Sequence, residues 1–210
     1  MARTTINEIS LRKKFATAAS APNRVAFMRN AALARVTAAR EEMLDKFDED
    51  EVTKELQQDA ATPGSTLISK GNLVSFIGFE GGDGATEAAN LREYLRTHTV
   101  LKDKPPVIVD KKNRIDFNFT VSVPSKTEIY EAFPSPKQNG APYSSRGWVE
   151  IIEKGIGNAA KYIFWWEGFK SGSRSGTGLQ TKGTATNPGS FTPKPTYISG
   201  LIERFLARFK

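Results

Sequence analysis

Apolar side chains recur every three or four residues through the first part of the chain. This spacing is the period of one face of an α-helix. The positions that share it are Val25, Met28, Ala32, Val36, Ala39, Met43 and Phe47. Pro22 and Asn23 stand just before the stripe and supply a helix start signal. The pattern therefore predicts a long first helix that begins near residue 23.

A second apolar stripe lies at the C-terminal end. Its positions follow the spacing i, i+3, i+4, i+7, i+8 and i+11: Ile198, Leu201, Ile202, Phe205, Leu206 and Phe209. The stripe predicts an amphipathic helix that starts near Tyr197. Shorter helices are predicted over residues 88–97, 126–133 and 147–154.

Residues 114–123 alternate strictly between polar and apolar side chains. Strict alternation predicts a β-strand with one buried face and one solvated face. A short apolar run at 107–109 precedes it, and residues 111–113 supply a turn, so the two runs predict an antiparallel hairpin. Alternating aromatic residues predict another strand over 160–167.

Together these elements predict an α+β fold. A small, mainly antiparallel sheet, with strands near 106–110, 114–123 and 160–167, packs against the long N-terminal helix and the C-terminal amphipathic helix. We expect a single domain over 23–210, preceded by a basic N-terminal extension of residues 1–22.

The composition excludes several kinds of chemistry. The chain has no cysteine and one histidine, so cysteine nucleophiles, disulfides and iron–sulfur clusters are ruled out. His98 alone cannot form a structural zinc site, and we expect it to be a surface residue at a helix end. The glycine-rich segment 80–84 lacks the Lys-Ser/Thr pair of a phosphate-binding loop, and it predicts a turn before a helix. We therefore expect no enzymatic activity, no cofactor and no bound metal.

Charge is segregated along the chain, whose formal net charge is +7. Residues 1–40 carry eight basic side chains against one acidic, and residues 168–210 carry seven against one. Residues 41–55 carry eight acids against two bases. Acids at the end of a helix oppose its dipole, so either they face basic groups or the first helix ends near Asp45. The segregation fits head-to-tail association of copies, or simply a set of solvated faces.

Residues 168–190, here called the arm, are dominated by Gly, Ser, Thr and Asn and contain no acid. Structureless loops of this length inside a domain are usually functional or disordered, so the alternative to a functional arm is a plain disordered surface loop. The arm carries the cations Lys170, Arg174 and Lys182. They suit either DNA phosphates or an acidic neighbour, and we favour the acids of another copy. These acids are Asp48, Glu49, Asp50 and Glu51.

Four segments resemble a pattern in structural proteins of tailed bacteriophages. Residues 52–56 followed by 71–79, and then 148–156 and 191–198, are similar in order and character to neck, or tail-completion, proteins at the head–tail junction. The resemblance covers roughly residues 25–210. The acidic run at 48–51 and the basic first residues depart from the pattern.

The resemblance implies a virion component that forms a ring, usually of six copies, as a neck protein or tail terminator. Such a ring joins the tail to the head, lets DNA pass through its lumen, and contacts other neck, portal-adaptor, tail-tube or sheath proteins after assembly in the host cytoplasm. The alternative is a sequence-independent nucleic-acid-binding module, which shares the net charge but requires basic and aromatic residues on one surface. No run of 18 apolar residues is present, so we expect no membrane span.

Overall fold

The computed structural model describes twelve stretches of the chain, and every structural statement below refers to them. They are residues 2–6, 21–58, 73–79, 82–103, 107–108, 115–116, 119–138, 141–142, 146–154, 162–164, 178–180 and 194–209.

Helix α1, Ala21–Glu49, is the predicted long first helix. The side chains of its predicted stripe from Met28 to Phe47 are all buried, and Leu44 joins them. The helix does not end near Asp45 but continues to Glu49, because several acids of its last turns face basic side chains. Of the two predicted alternatives, acids that face basic groups or a helix end near Asp45, the structure therefore shows the first.

Six further helices follow: α2 Glu51–Leu56, α3 Leu73–Ile77, α4 Asp83–His98, α5 Lys126–Ala132, α6 Trp148–Lys154 and α7 Ile198–Ala207. The predicted helices in the regions of α5, α6 and α7 are confirmed. Helix α4 starts earlier than residue 88, since Gly84 lets it pack closely on α2; a Cβ there would lie 2.4 Å from the Leu56 carbonyl oxygen. None of the helices within the described stretches is long and apolar enough to cross a membrane.

The main sheet has three antiparallel strands, β1 Ala2–Ile6, β2 Val100–Asp103 and β5 Phe119–Val123, in the order β1-β5-β2. Strand β1 comes from the predicted N-terminal extension and pairs along the full length of β5. Strands β3 Val107–Ile108 and β4 Ile115–Asp116 form the predicted hairpin ladder.

Three two-stranded ladders of the described residues lie outside the main sheet, and the β3–β4 ladder is one of them. Strands β6 Lys137–Gln138 and β7 Ala141–Pro142 pair with each other. Strand β8, Tyr162–Phe164, pairs with β9, Gly178–Gln180. Neither the predicted strand near 106–110 nor the one near 160–167 therefore joins the main sheet, and three residues of the arm are strand rather than loop. The backbone groups of β8 need partners, and β9 supplies them.

Both faces of β5 are buried, which corrects the prediction of a solvated face. Phe119 packs with Met28 and Ala32 of α1 on one face. Thr120 and Ser122 on the other face are only 5% and 3% exposed. Strand β5 is central in its sheet, and alternation in sequence cannot report what covers its polar face.

The main core joins the helices to the sheet. Trp148 of α6 is fully buried, with its ring edge-on to Phe79 and Phe133 at centroid distances of 5.8 and 5.9 Å. Apolar residues of α1, α4, α7 and β5 complete the same cluster. The fold is thus α+β and mostly helical, as far as the described residues show it.

The burial of Thr120 generates a test. Its hydroxyl is buried and has no hydrogen-bond partner among the residues that the structure describes. Thr120→Val should therefore leave the free energy of unfolding unchanged or raise it by up to about 1 kcal/mol, since an unpaired buried hydroxyl is lost. Thr120→Asp should cost on the order of 3 kcal/mol or more, because it buries a charge. Urea denaturation measures both changes.

Phe119→Ala is the control on the opposite face, and it should cost about 3–5 kcal/mol. A solvated polar face would tolerate Thr120→Asp with little loss, and that result would contradict the burial described above.

Candidate functional site

The acidic segment 41–55 occupies the C-terminal end of α1 and all but the last residue of α2. Carboxylates at a helix C-terminus are unfavourable because they face the negative end of the helix dipole. Each carboxylate here is therefore either compensated by a basic partner or retained for another reason. The structure divides the segment into these two groups.

Asp48 and Glu42 are compensated within the chain. The Arg92 Nε of α4 donates to Asp48, at 2.8 Å from Oδ2. Glu42 accepts from Arg208, just beyond α7, and from Lys46 at 3.0 Å. The hydrogen bonds from Lys46 and Arg208 hold the pKa of Glu42 below its ordinary value. These pairs fasten the end of α1 to α4 and α7.

Asp50 is compensated twice. Its Oδ1 accepts from the Val52 backbone N–H at 2.9 Å and so caps the start of α2. Both of its oxygens also accept from the Lys194 ammonium group at 2.9 Å. The backbone N–H of Lys194 donates in turn to the Ile152 carbonyl at 2.9 Å. Asp50 therefore ties α2 to the segment that enters α7.

Asp45, Glu49 and Glu51 form the second group. All three are exposed and make no ion pair within the described residues. Asp45 and Glu49 are four residues apart on one side of α1, where like charges repel. We call these three residues the acidic surface. Of the four acids predicted from sequence, the structure uses Asp48 and Asp50 internally and presents Glu49 and Glu51 to solvent.

The arm cations Lys170, Arg174 and Lys182 lie outside the described residues, so their contact with the acidic surface stays a prediction. The prediction for His98 is confirmed: it is the last residue of α4, is exposed, and stacks on Tyr94 at 3.9 Å between ring centroids. Among the residues that the structure describes, no group of three His, Cys, Asp or Glu side chains is placed to hold a metal ion.

Glu153 is a key residue that the sequence did not reveal. Its side chain is only 4% exposed. Its Oε1 accepts from the backbone N–H groups of Ile198 and Ser199, each at 2.8 Å, and its Oε2 accepts from the Tyr130 hydroxyl at 2.6 Å. The carboxylate thus caps α7 from another helix. The available signal was that Tyr197, at the N-cap position, cannot cap the helix with its own side chain.

Two tyrosines, the buried Tyr197 and the half-buried Tyr130, lie beside this cap. The Tyr197 side chain is fully buried, and its hydroxyl lies 2.9 Å from the Thr53 hydroxyl of α2. Burial raises the pKa of Tyr197 well above its ordinary value of 10.0. Burial also raises the pKa of Tyr130, and its bond to the Glu153 carboxylate acts in the same direction.

The contacts above define an α+β domain in which α7 is held by hydrogen-bonded charges and hydroxyls, with an acidic surface left exposed at one end of α1. Comparison of the chain with protein-family models, with curated proteins and with solved structures finds no match.

Removal of the Glu153 carboxylate should destabilise the fold. Glu153→Ala leaves two helix amides and the Tyr130 hydroxyl unpaired, so we expect a loss on the order of 3–5 kcal/mol in chemical denaturation. Glu153→Gln keeps an acceptor oxygen but loses the charge, and should cost about 1–2 kcal/mol. Glu150→Gln, at a more exposed acid that pairs with Lys154, is the control and should cost less than about 1 kcal/mol. Equal effects at both positions would contradict the capping role.

Alkaline pH should destabilise the protein through Tyr197. Below pH about 10 this tyrosine is protonated in both states; above it, the unfolded chain loses the proton while the folded chain keeps it. Stability present below pH about 10 is therefore lost as the pH rises toward the raised folded-state pKa. Denaturation at pH about 9, 10 and 11 measures the slope, and Tyr197→Phe should reduce it. An unchanged slope in that variant would contradict the assignment.

Proposed function

We propose that the chain is a virion structural protein that forms a ring at the head–tail junction of a tailed bacteriophage, as a neck protein or tail terminator. The ring would join the tail to the head and let DNA pass. The proposal starts from the resemblance of residues 52–56, 71–79, 148–156 and 191–198 to that family.

The observation that carries the proposal is that these four segments meet in one contact network. Thr53 of the first segment bonds Tyr197 of the last at 2.9 Å. The carboxylate of Glu153, in the third, caps Ile198 at 2.8 Å. Phe79 of the second packs edge-on against Trp148 of the third. This convergence fits the resemblance, which treats the four segments as parts of one structural unit.

The charge distribution supports a ring. Ring contacts between identical subunits need two different surfaces that complement each other. The acidic surface of Asp45, Glu49 and Glu51 is one such surface, because its charges are uncompensated within the described residues. The arm, with its three cations and no acid, is the complementary element.

We assign the arm to a neighbouring subunit rather than to DNA. Three cations set against fixed carboxylates make specific contacts, in which each charge has a defined partner. Such contacts suit a lock between subunits. Passing DNA requires only weak, non-specific contact with the lumen.

Charge reversal tests the lock. Glu49→Lys together with Glu51→Lys should impair assembly or head–tail joining, as should changing Lys170, Arg174 and Lys182 to Ser. Replacing those three cations by Glu in the Glu49→Lys/Glu51→Lys chain should restore assembly, because the attraction is then inverted rather than removed. Light scattering and negative-stain microscopy, on the protein alone and with neighbouring tail proteins, report ring formation.

The matched control is Glu131→Lys with Glu203→Lys, which changes the net charge equally at exposed positions on α5 and α7. It should assemble like the wild type. If the wild type forms rings and the charge-inverted chain does not, the proposed contact between the arm and the acidic surface is wrong, but the proposed ring is not. Strictly monomeric wild-type protein in both settings would overturn the ring. Salt-sensitive DNA binding by that monomer would favour the nucleic-acid-binding module instead.

A further inference from the structure

Three arginines meet where α7 ends against the middle of α1. Arg35 Nη2 donates to the Arg208 carbonyl oxygen at 2.9 Å, and the Arg35 guanidinium lies over the Phe209 ring, 5.7 Å from its centroid. Arg204 precedes Arg208 by four residues and so lies beside it, one turn back along α7. All three arginines are exposed. We call Arg35, Arg204 and Arg208 the basic patch.

One carboxylate serves this patch. Glu42 accepts from Arg208, and also from Lys46 at 3.0 Å. Arg35 and Arg204 have no acidic partner within the described residues, and the hydrogen bonds that they donate go to backbone carbonyl groups instead. Four cations therefore share one carboxylate, and the patch keeps an excess of positive charge.

The helix dipole does not account for this excess. The C-terminal end of a helix carries about half a unit of negative charge. Arg35 already donates to a carbonyl group at that end of α7. Arg204 and Arg208 are further cations at the same end. The remaining positive charge is available to attract an anion.

The N-terminal half of α1 adds basic residues but no acid. Residues 21–40 contain four arginines and no Asp or Glu. The exposed acids Asp45 and Glu49 lie ten and fourteen residues beyond Arg35, about 15 and 21 Å further along the helix. An extended polyanion can therefore run from the patch toward the start of α1, away from the acidic surface.

The patch presents charge rather than apolar surface to solvent. Its aromatic ring, Phe209, lies beneath Arg35 and is only 3% exposed. A contact between proteins normally has an apolar centre. A phosphate backbone is bound through charge and hydrogen bonds, and an arginine can bind phosphate with two N–H groups at once. These features favour a phosphate backbone over an acidic protein segment.

We propose that the basic patch binds the sugar–phosphate backbone of DNA without regard to sequence. The guanidinium groups of Arg35 and Arg204 would donate to neighbouring phosphates, and Arg208 would exchange part of its contact with Glu42 for a phosphate. The three arginines belong neither to the acidic surface nor to the arm. Binding at the patch does not depend on the ring; in the proposed ring, the patch would be the surface that passing DNA meets.

Fluorescence anisotropy tests the proposal with the full chain and a labelled mixed-sequence DNA duplex of about 20 base pairs, in salt from about 50 to 200 mM. The affinity should fall as salt rises, because phosphate contacts release counterions. Arg35→Gln with Arg204→Gln should weaken binding by roughly tenfold or more at the lowest salt. It should also reduce the slope of log affinity against log salt by about two. The Arg208–Glu42 pair stays in this variant, and circular dichroism checks its fold.

The matched control removes the same charge elsewhere. Lys126→Gln with Lys154→Gln changes two exposed cations, on α5 and α6. This variant should bind DNA nearly as tightly as the wild type and keep the salt slope.

Glu42→Gln tests the patch in the opposite direction. Without its carboxylate, the patch should bind DNA about fivefold more tightly, the factor for one adjacent unit charge in water. Glu131→Gln, at an exposed acid of α5, should not produce this gain. Tighter binding cannot result from structural damage, so it identifies a direct contact.

Four results would overturn the proposal. Equal losses in the arginine variant and the lysine control would mean that DNA responds to net charge alone. Loss of binding on changing Lys170, Arg174 and Lys182 to Ser, with the arginine variant unaffected, would assign DNA to the arm. Polyglutamate that binds the patch as tightly as the duplex would indicate an acidic protein partner. Absence of DNA binding at the lowest salt would leave the arginines with a role at the helix end alone.

Negative-stain microscopy of the same samples separates this test from that of the proposed function. Rings that do not bind DNA would overturn the role of the patch and keep the ring. Monomers that bind DNA through the patch would overturn the ring and keep the role of the patch.

Discussion

The arrangement of the C-terminal half depends on one buried carboxylate. A charge inside a protein is costly unless donors surround it, and Glu153 has three: two amides at the start of α7 and the Tyr130 hydroxyl of α5. Because Glu153 itself belongs to α6, a single side chain fixes three helices against each other. The amphipathic face of α7 would bury apolar surface in several orientations, but only one of them satisfies this charge.

The segment that enters α7 also makes hydrogen bonds to α2. Tyr197 bonds Thr53, and Lys194 bonds Asp50, so the entry to α7 is tied to α2 as well as to α6. Hydrogen bonds among buried groups reinforce one another where the local dielectric constant is low. The α7 entry is therefore a junction at which the beginning, middle and end of the described chain meet, rather than a loop between separate elements.

Local periodicity explains which parts of this structure were predictable. The stripes of α1 and α7 follow from spacing within one helix, and the structure buries the α1 stripe from Met28 to Phe47 and the α7 stripe apart from the half-buried Leu206. The polar face of β5 was predicted to be solvated, because alternation does not tell what covers Thr120. The role of Glu153 could not be predicted for a related reason. Its main partners are backbone amides 45 and 46 residues away, and the residue type does not indicate that a backbone amide needs a partner.

The acidic run shows how tertiary contacts divide a uniform stretch of sequence. Asp48 and Asp50 have bases opposite them, whereas Glu49 and Glu51 have none in the described part of the chain, although all four look alike in sequence. Lys194, which follows the arm in the chain, is bonded to Asp50, directly between the two exposed acids. The chain therefore holds its acidic surface within a few residues of the point where its own arm ends. In the proposed ring, a contact between subunits would have to outcompete the high effective concentration of the chain's own arm. The arm would contact the acidic surface of the neighbouring subunit only if the closed ring provides a geometry that the single chain lacks. An arm too constrained to turn back on its own acids is one such geometry.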